Sequence, residues 1–325
     1  MKISIVGTGK IVHEVMHMLA DELPDKITVT GIYARPQSEE NAKILAKETG
    51  SKAIVYTGYD QMLEEAEADF VYIANANHVH FQYAMQAMKA GHNVIVEKPI
   101  TTSRVEMDML LDMALQKGVY CLPAYSLLYM PLYRQLAQIL PQLGTIRMVN
   151  GCYAQYSSRY DRYLKGEMTP TFDTGCAGGS LMDLNVYNLC FTIGLFGPPR
   201  SAYYMPNKGY NGVDTSGTML LHYPTFVASL SAAKDSDGHS FACIQGEKGY
   251  IEIPGSVSIL KEFTVHLKHQ EPVTYKADEK HRLNYEFQEF HALMEDEGNC
   301  HIRLLYLNSV VQEIARAIDH MEPLI

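Results

Sequence analysis

The chain has 325 residues, of which 47% are hydrophobic, and its formal net charge is −10. This length predicts about two domains, and basic residues scattered through an acidic chain argue against nucleic acid as a partner. No apolar run approaches the roughly 18 residues of a membrane-spanning helix, and the first residues resemble a strand rather than a signal peptide. The six cysteines lie far apart without a Cys-x-x-Cys pair. We therefore expect a globular cytoplasmic protein with reduced thiols and no membrane segment.

The chain begins with a strand, a glycine turn and a helix. Residues 2–6 are rich in β-branched side chains, Gly7-Thr8-Gly9 follows, and 10–23 has helical spacing that ends at Pro24. Glycines at the first strand-to-helix turn are typical of dinucleotide sites, where backbone N–H groups and the helix N-terminus reach a pyrophosphate. Val12 replaces the third glycine of that pattern, which serves helix packing rather than the phosphate contact. The expected cofactor contacts are Gly7, Thr8, Gly9, Lys10 and Ile11.

The end of the second strand bears on cofactor choice. Residues 28–33 form this strand, and Ala34-Arg35-Pro36 follows without the acidic residue that holds the ribose hydroxyls of NAD. An arginine there suits the 2′-phosphate of NADP, and Ser38 could add a hydroxyl. We therefore expect NADP to be preferred, with NAD possible. The alternative is a solvent-exposed Arg35 without a ligand.

Strands and helices then alternate, which predicts a doubly wound parallel sheet with right-handed crossovers. The further strands are 53–56, 70–74, 93–96 and 119–122. The helices between them are 59–67, 81–90 and 103–117. We expect this α/β Rossmann domain to span residues 1–122.

The strand 93–96 runs directly into Glu97-Lys98-Pro99. In an open α/β sheet, ligands bind outside the carboxyl ends of the strands, so Lys98 is expected to face the ligand. A surface salt bridge is the alternative. The fourth strand is followed by the polar segment 75–80 at the same edge, where His78 and His80 lack a third ligand, so no metal is expected. Further expected cofactor contacts are Ala74, Asn75, Asn77, His80, Glu97 and Lys98.

After residue 122 the pattern changes to that of an α+β domain, residues 123–325, with an open, predominantly antiparallel sheet. A helix is expected at 131–140. The expected strands are 145–156, 200–205, 218–223, 226–232, 241–245, 250–253, 257–260 and 263–267. Helices 283–297 and 302–320 close the chain. This domain is expected to bind the substrate and, through its sheet, to form a homodimer or homotetramer.

A glycine-rich segment at 175–179 precedes a candidate pair of catalytic groups. A helix that starts at Ser180 would present Asp183 and Tyr187 on one face, because they are four residues apart. Oxidation of an alcohol requires a base for the hydroxyl proton, and a neighbouring ammonium such as that of Lys98 makes a tyrosine a stronger acid–base group. The alternative is a capped amphipathic helix whose tyrosine bonds a backbone carbonyl.

The segments Gly7-x-Gly9, Asn77-His78, Glu97-Lys98-Pro99 and Gly178-Gly179-x-x-x-Asp183 occur in this order along nearly the whole chain. In these segments and their order, the chain resembles the glucose–fructose oxidoreductase/inositol dehydrogenase (Gfo/Idh/MocA) family. The resemblance implies a Rossmann domain followed by an open sheet, a nicotinamide cofactor and sugar, polyol or related substrates. It also implies that Lys98 binds the reacting oxygen and Asp183 positions the substrate. Many members have histidine where Tyr187 stands. With tyrosine there, the chain resembles the branch that contains trans-dihydrodiol dehydrogenase and NADP-dependent xylose dehydrogenase. This resemblance implies that Tyr187 is the acid–base group.

We therefore predict an NADP-preferring oxidoreductase that acts on a hydroxyl or carbonyl of a sugar, polyol or vicinal diol. The alternatives are an NAD-linked polyol dehydrogenase and a nucleotide-binding sensor that uses the fold without turnover. Tyr153, Tyr156, Arg159 and Tyr160 either line the pocket or belong to a sheet face of core or dimer residues. The expected substrate contacts are Lys98, Tyr156, Arg159, Asp183 and Tyr187.

Overall fold

The computed structural model describes residues 1–323, which fold into two units. The first unit comprises residues 1–125 and 283–309, and the second comprises 126–282 and the residues from Val310 onward. The sequence predicted one boundary, after residue 122. It did not predict that residues 283–309 belong to the first unit. Hydrophobic patterning shows where helices occur but not which sheet they pack against, so the discontinuous first unit is a tertiary feature.

The first unit is built on a parallel sheet of six strands. These are β1 (Lys2–Val6), β2 (Thr28–Tyr33), β3 (Ile54–Tyr56), β4 (Phe70–Ile73), β5 (Asn93–Glu97) and β6 (Cys121–Ala124). Their order is β3-β2-β1-β4-β5-β6, and every neighbouring pair is parallel. This is the strand order of the doubly wound dinucleotide-binding fold, so the predicted Rossmann architecture is confirmed.

Five helices connect these strands. They are α1 (Lys10–Glu22), α2 (Glu39–Glu48), α3 (Tyr59–Glu65), α4 (His80–Lys89) and α5 (Arg104–Lys117). Helix α5 begins with a capping box, in which the Ser103 side chain accepts from the Glu106 N–H and a Glu106 carboxylate oxygen accepts from the Thr102 N–H. It ends at Gly118 in the left-handed conformation. Helix α2 was not predicted, because its mostly polar sequence buries only Ala42, Leu45 and Ala46.

The second unit is built on a sheet of nine strands. These are β7 (Ile146–Ala154), β8 (Ser201–Lys208), β9 (Asp214–His222), β10 (Val227–Ala233), β11 (Phe241–Gly246), β12 (Gly249–Pro254), β13 (Glu262–Leu267), β14 (Val273–Lys276) and β15 (Glu322–Pro323). Their order is β14-β13-β12-β11-β7-β10-β9-β8-β15. The pairs β7·β10 and β8·β15 are parallel and the others antiparallel, so the expected predominantly antiparallel sheet is confirmed.

One face of this sheet is covered and supports the core of the second unit. Residues that lie opposite one another in the strand register form a fully buried row: Leu221, Ala228, Val149, Ile244 and Ile251. The helices of this part of the chain are α6 (Pro131–Ile139), α7 (Tyr160–Leu164) and α8 (Val186–Phe196). Helix α8, which is buried along most of its length, packs on β7 and β10 of this face.

The C-terminal helices are α9 (Asn284–Leu293) and α10 (Glu297–Asp319). They differ from the predicted 283–297 and 302–320 in where one helix ends and the next begins. The prediction of a strand at 257–260 was wrong, because Val257–Ile259 forms a 3-10 turn after Gly255, with the Ser256 side chain accepting from the Ser258 N–H. Among the described residues, no helix combines the length and apolarity needed to cross a membrane.

Candidate active site

The glycine turn between β1 and α1 leaves open space at a helix N-terminus. Gly7 has a φ of +120°, and a Cβ there would lie 2.7 Å from the carbonyl oxygen of Ala74. Gly9 is the N-cap of α1, and apart from its neighbours along the chain no described atom lies within 4 Å of the position that its Cβ would take. The first turn of α1 has no acidic side chain. The partial positive charge of this N-terminus is therefore open to an anion. Of the other predicted contacts, Thr8 and Ile11 are half-buried and Lys10 is exposed.

The carboxyl end of β4 lies beside this turn. The Ala74 N–H donates to the Val6 carbonyl at 3.0 Å, which joins the ends of β1 and β4. The side-chain oxygen of Asn75 is buried and has no hydrogen-bond partner among the described residues. Such an oxygen is costly to bury unless a ligand or water satisfies it. Asn77 starts the short 3-10 turn Asn77–Val79 that leads into α4.

His80 is buried at the start of α4 and connects two strand ends. Its Nδ1 lies 2.8 Å from the Pro99 carbonyl oxygen, and its Nε2 lies 3.1 Å from the Asn75 carbonyl oxygen. Burial lowers the pKa of His80, and the hydrogen bonds to these carbonyls oppose part of that shift. Both ring nitrogens face backbone oxygens, so the geometry makes His80 a link between the β4 and β5 ends, and its direct contact with a cofactor stays a prediction.

The Glu97 carboxylate at the end of β5 is buried and positions the residue that follows it. One oxygen accepts from the Tyr72 hydroxyl at 2.6 Å, and the other accepts from the Lys98 backbone N–H at 3.1 Å. Tyr72 is itself fully buried in β4. The peptide bond between Lys98 and Pro99 is cis. The backbone of the half-buried Lys98 is therefore held by the strand before it and the proline after it.

Arg35 follows β2 directly and is exposed. Its carbonyl accepts from the Ser38 N–H at 2.7 Å and closes the 3-10 turn Pro36–Ser38. The segment from Ala34 to Ser38 contains no acidic residue. Arg35 is therefore the one charged side chain of residues 34–38, before Glu39 and Glu40 begin α2.

In the second unit, Asp183 lies in a π-helical turn, Leu181–Asn185, at the start of α8. The Leu181 N–H donates to Asp214 Oδ2 at 2.7 Å, and the Tyr204 hydroxyl donates to the same oxygen at 2.6 Å. Burial raises the pKa of Asp214, and these two hydrogen bonds oppose the shift. Gly179 has a φ of +112°, and a Cβ there would lie 1.9 Å from Asp214 Oδ1. The glycine lets the loop approach the carboxylate that anchors the π turn, a feature often found at functional sites.

The carboxylate of Asp183 is paired with Lys234, a lysine that directly follows β10. Lys234 Nζ donates to Asp183 Oδ2, and this nitrogen also lies 5.5 Å from the centre of the Phe172 ring. Lys234 is only 3% exposed. Its backbone N–H donates to the Thr215 carbonyl at 2.8 Å, and its own carbonyl accepts from the Ser157 N–H at 2.9 Å. A rigidly held, buried ammonium therefore fixes the orientation of Asp183.

Tyr187 lies one turn after Asp183, as predicted, and is half-buried. Its ring centre lies 6.2 Å from that of Tyr153 on β7, and the two rings are tilted. Asn185, between the two candidate groups, is fully buried. Its Nδ2 donates to the Leu230 carbonyl at 2.9 Å and its Oδ1 accepts from Asn188 at 2.9 Å. The hydrogen bond from Asn185 to the Leu230 carbonyl attaches the start of α8 to β10.

The remaining predicted substrate contacts lie after the end of β7. The Tyr156 hydroxyl donates to Asp161 at 2.7 Å, and this hydrogen bond raises the pKa of Tyr156. The guanidinium of the exposed Arg159 donates to the Thr171 hydroxyl at 3.2 Å. Tyr160 packs against the buried cluster of Tyr163, Phe172 and Val213. Tyr160 thus contributes to a core, whereas substrate contacts by Tyr156 and Arg159 stay predictions.

Comparison with known proteins identifies the family. Residues 1–125 match the GFO/IDH/MocA oxidoreductase family, NAD-binding Rossmann fold, and residues 133–252 match the GFO/IDH/MocA C-terminal domain. The uncharacterized oxidoreductase YgjR of Escherichia coli is 32% identical over 252 residues, which cover 78% of this chain and 75% of that protein. The chain belongs to the GFO/IDH/MocA oxidoreductase family. The resemblance seen in the sequence motifs is therefore confirmed.

Two other similar proteins have more specific names. The scyllo-inositol 2-dehydrogenase (NADP(+)) IolU of Bacillus subtilis is 29% identical, with 99% of this chain and 98% of that protein covered. Among solved structures, KijD10, a 3-ketoreductase from Actinomadura kijaniata in complex with NADP and TDP-benzene, superimposes with a TM-score of 0.82. Its sequence identity is 19%, over 99% of this chain and 98% of that chain. The structural similarity supports the fold of this GFO/IDH/MocA member.

Sequence reasoning missed Lys234 and Asp214 in this GFO/IDH/MocA chain. Lys234 follows an apolar strand directly, which is the same signal that drew attention to Lys98. However, Lys234 is 51 residues from Asp183, and Asp214 is 33 residues from Leu181. Local spacing cannot show pairs this far apart in the chain, because the register of the second sheet brings them together.

Proposed function

We propose that this protein is an NADP-preferring dehydrogenase or reductase that transfers a hydride to or from a hydroxyl or carbonyl carbon of a sugar, polyol or vicinal diol. Family membership supports the reaction type, and the names of IolU and KijD10 support NADP and a ring-shaped hydroxylated substrate. The observation that carries the proposal is the ion pair between Asp183 and Lys234, with Asp183 four residues before Tyr187 on one continuous helical segment.

In the proposed reaction, Tyr187 exchanges the proton of the substrate hydroxyl. A tyrosine near its ordinary pKa of about 10 is a weak base at neutral pH, and an ammonium partner favours the phenolate. In the proposal, the Lys98 ammonium is this partner of Tyr187, and it also binds the reacting oxygen. Asp183 accepts a hydrogen bond from a second substrate hydroxyl, and Lys234 keeps it oriented. Tyr156 and Arg159 contact the rest of the substrate.

The residues of the first unit fit a dinucleotide. The open N-terminus of α1 at Gly9 suits a pyrophosphate, and the unsatisfied, buried oxygen of Asn75 is an acceptor for a polar group of the cofactor. When bound, the nicotinamide supplies or accepts the hydride. Arg35 would pair with a 2′-phosphate. The full proposed set of cofactor contacts is Gly7, Thr8, Gly9, Lys10, Ile11, Arg35, Ala74, Asn75, Asn77, His80, Glu97 and Lys98.

The proposal predicts that NADPH binds more tightly than NADH and that Arg35 causes the difference. Arg35→Ala should weaken NADPH binding by roughly 10- to 100-fold, the effect of a lost hydrogen bond to a charged group, and leave NADH nearly unchanged. The chain has no tryptophan whose fluorescence could report binding. Titrations therefore follow the fluorescence of the reduced nicotinamide. Lys52→Ala removes an equal charge from an exposed position of the same unit and serves as the control.

The same preparations are then mixed with aldoses, polyols and dicarbonyl compounds. Oxidation of NADPH by an aldose or dicarbonyl compound, or reduction of NADP+ by a polyol or aldose, supports the proposal and begins to define the substrate. Equal or tighter binding of NADH would favour an NAD-linked polyol dehydrogenase instead. Tight NADPH binding without turnover of any compound would favour a nucleotide-binding sensor. Failure to bind either nucleotide would contradict the cofactor assignment itself.

The second sheet supports a proposal for assembly, a homodimer or homotetramer in the cytoplasm. Its other face carries a row of side chains in register, Val227, Met148, Gln245, Tyr250 and His266. Val227, Met148 and Tyr250 are 40–46% exposed, and the Tyr250 and His266 rings stack at 4.3 Å. A row across five strands with three exposed apolar side chains is a surface that association would bury.

We expect sedimentation velocity to give at least a dimer for the wild type. Val227→Lys places a charge within the row and should shift the protein towards monomer. Val105→Lys, at an exposed valine of α5, is the matched control and should leave the sedimentation coefficient unchanged. A monomeric wild type, or equal effects of the two variants, would contradict association through this face.

A further inference from the structure

The surface formed by α1 and α2 carries a cluster of three side chains that the proposed function does not use. His13 and His17 lie one turn apart on α1, and Glu48 is the last residue of α2. One ligand atom from each side chain lies within 4.8 Å of the other two. His17 and Glu48 are exposed and His13 is half-buried. In the described part of the chain, none of these three side chains has a hydrogen-bond or ion-pair partner.

We propose that His13, His17 and Glu48 form a binding site for a divalent transition metal, with Zn²⁺ as the best fit. Two imidazole nitrogens and one carboxylate oxygen suit zinc, cobalt, nickel or copper, whereas calcium and magnesium prefer oxygen ligands alone. Water occupies the remaining coordination positions. This cluster is separate from His78 and His80, the histidine pair that the sequence suggested as possible metal ligands.

The geometry requires only a small side-chain adjustment. Zn–N and Zn–O bonds of about 2.0–2.2 Å place tetrahedral ligand atoms roughly 3.3 Å apart. The observed separations of up to 4.8 Å close by rotation about side-chain bonds, and the exposed His17 and Glu48 are free to rotate. Histidines four residues apart on a helix already face the same direction. No backbone movement is needed.

The site would connect the two helices that follow β1 and β2. Helix α1 starts at the glycine turn, and α2 follows the Arg35 segment. A metal ion that binds the folded protein alone stabilises it by mass action. The ion would therefore clamp the first unit, away from the residue proposed to exchange the proton.

The test uses full-length protein freed of metal with a chelator and then titrated with Zn²⁺ in a calorimeter. We expect one ion per chain with a micromolar or lower dissociation constant, and a rise of about 5 °C in Tm at 100-fold excess over that constant. Co²⁺ should give visible absorption bands of a nitrogen- and oxygen-ligated ion. His17→Ala should weaken binding by at least about 100-fold, since loss of an outer-sphere partner alone costs 10- to 100-fold.

Two variants complete the test. Glu48→Gln keeps the size of the side chain but removes the carboxylate, and it should also weaken binding. His301→Ala removes an exposed histidine of another helix in the same unit and should leave the Zn²⁺ affinity unchanged. Binding weaker than millimolar, or binding that survives His17→Ala and Glu48→Gln, would overturn the proposal. Because both substituted side chains are exposed, circular dichroism should show folded variants in either case.

Discussion

Lys98→Met should reduce hydride transfer far more than it reduces cofactor binding. In the proposed reaction, the substitution removes the ammonium that binds the reacting oxygen and favours the Tyr187 phenolate. General acid–base groups contribute about 10²- to 10⁴-fold, so we expect kcat to fall by about 10³-fold or more. The backbone contact from the Lys98 N–H to Glu97 does not depend on the side chain and should persist. Methionine has a similar length and flexibility, so the strand end should keep its structure.

The measurement combines steady-state kinetics with NADPH titration of each variant. Lys89→Met, at the exposed end of α4, removes the same charge from the same unit and serves as the control. Its kcat should stay close to that of the wild type. A Lys98→Met enzyme whose kcat lies within tenfold of the wild type would falsify the assignment of Lys98. A large loss of NADPH affinity would instead make Lys98 mainly a cofactor residue.

Lys234→Met should lower both stability and turnover, because it removes the cation that holds Asp183. Loss of one partner of a buried ion pair costs about 3–5 kcal/mol, but Asp183 is 39% exposed and regains water, so we expect about 2 kcal/mol. A displacement of about 1 Å in a positioning group can cost 10²-fold in rate, and we expect a loss in kcat of that order. Chemical denaturation and steady-state kinetics measure the two effects.

A double-mutant cycle separates the ion pair from simple loss of packing. If the pair accounts for the effect, adding Asp183→Asn to Lys234→Met should cost less stability than the two single changes together. Lys208→Met, near an exposed end of β8, is the matched control for replacing a strand-end lysine. Additive losses, or equal losses in Lys208→Met and Lys234→Met, would contradict the positioning role of Lys234.

Much of the first unit could be predicted from local sequence. Strands β1 and β2 have the predicted bounds, and α1 ends within one residue of the prediction. A β-branched run, a glycine turn and a proline act over a few residues, so their effect does not depend on the rest of the chain. For the same reason, the positions of Lys98 after a strand and of Asp183 and Tyr187 on one helix were visible in the sequence.

Two elements show where prediction from local sequence pattern failed. Residues 257–260 have the composition of a strand, yet Val257 and Leu260 are buried at the ends of a 3-10 turn that a glycine and a serine produce. Helix α2 is too polar to show a clear apolar period. In the first case local turn residues outweigh the strand composition, and in the second the burial of three residues stabilises a helix that was not predicted.

The sequence by itself determined the family, most of the elements in their order, and the residues at the strand ends, because these depend on neighbours along the chain. Only the tertiary structure decided which partners those residues have: Lys234 for Asp183, Asp214 for the Leu181 N–H, and Glu48 beside His13 and His17. Strand register and helix packing set these distances, and neither is encoded in local spacing. The orientation of Asp183 therefore follows from the fold of the second sheet.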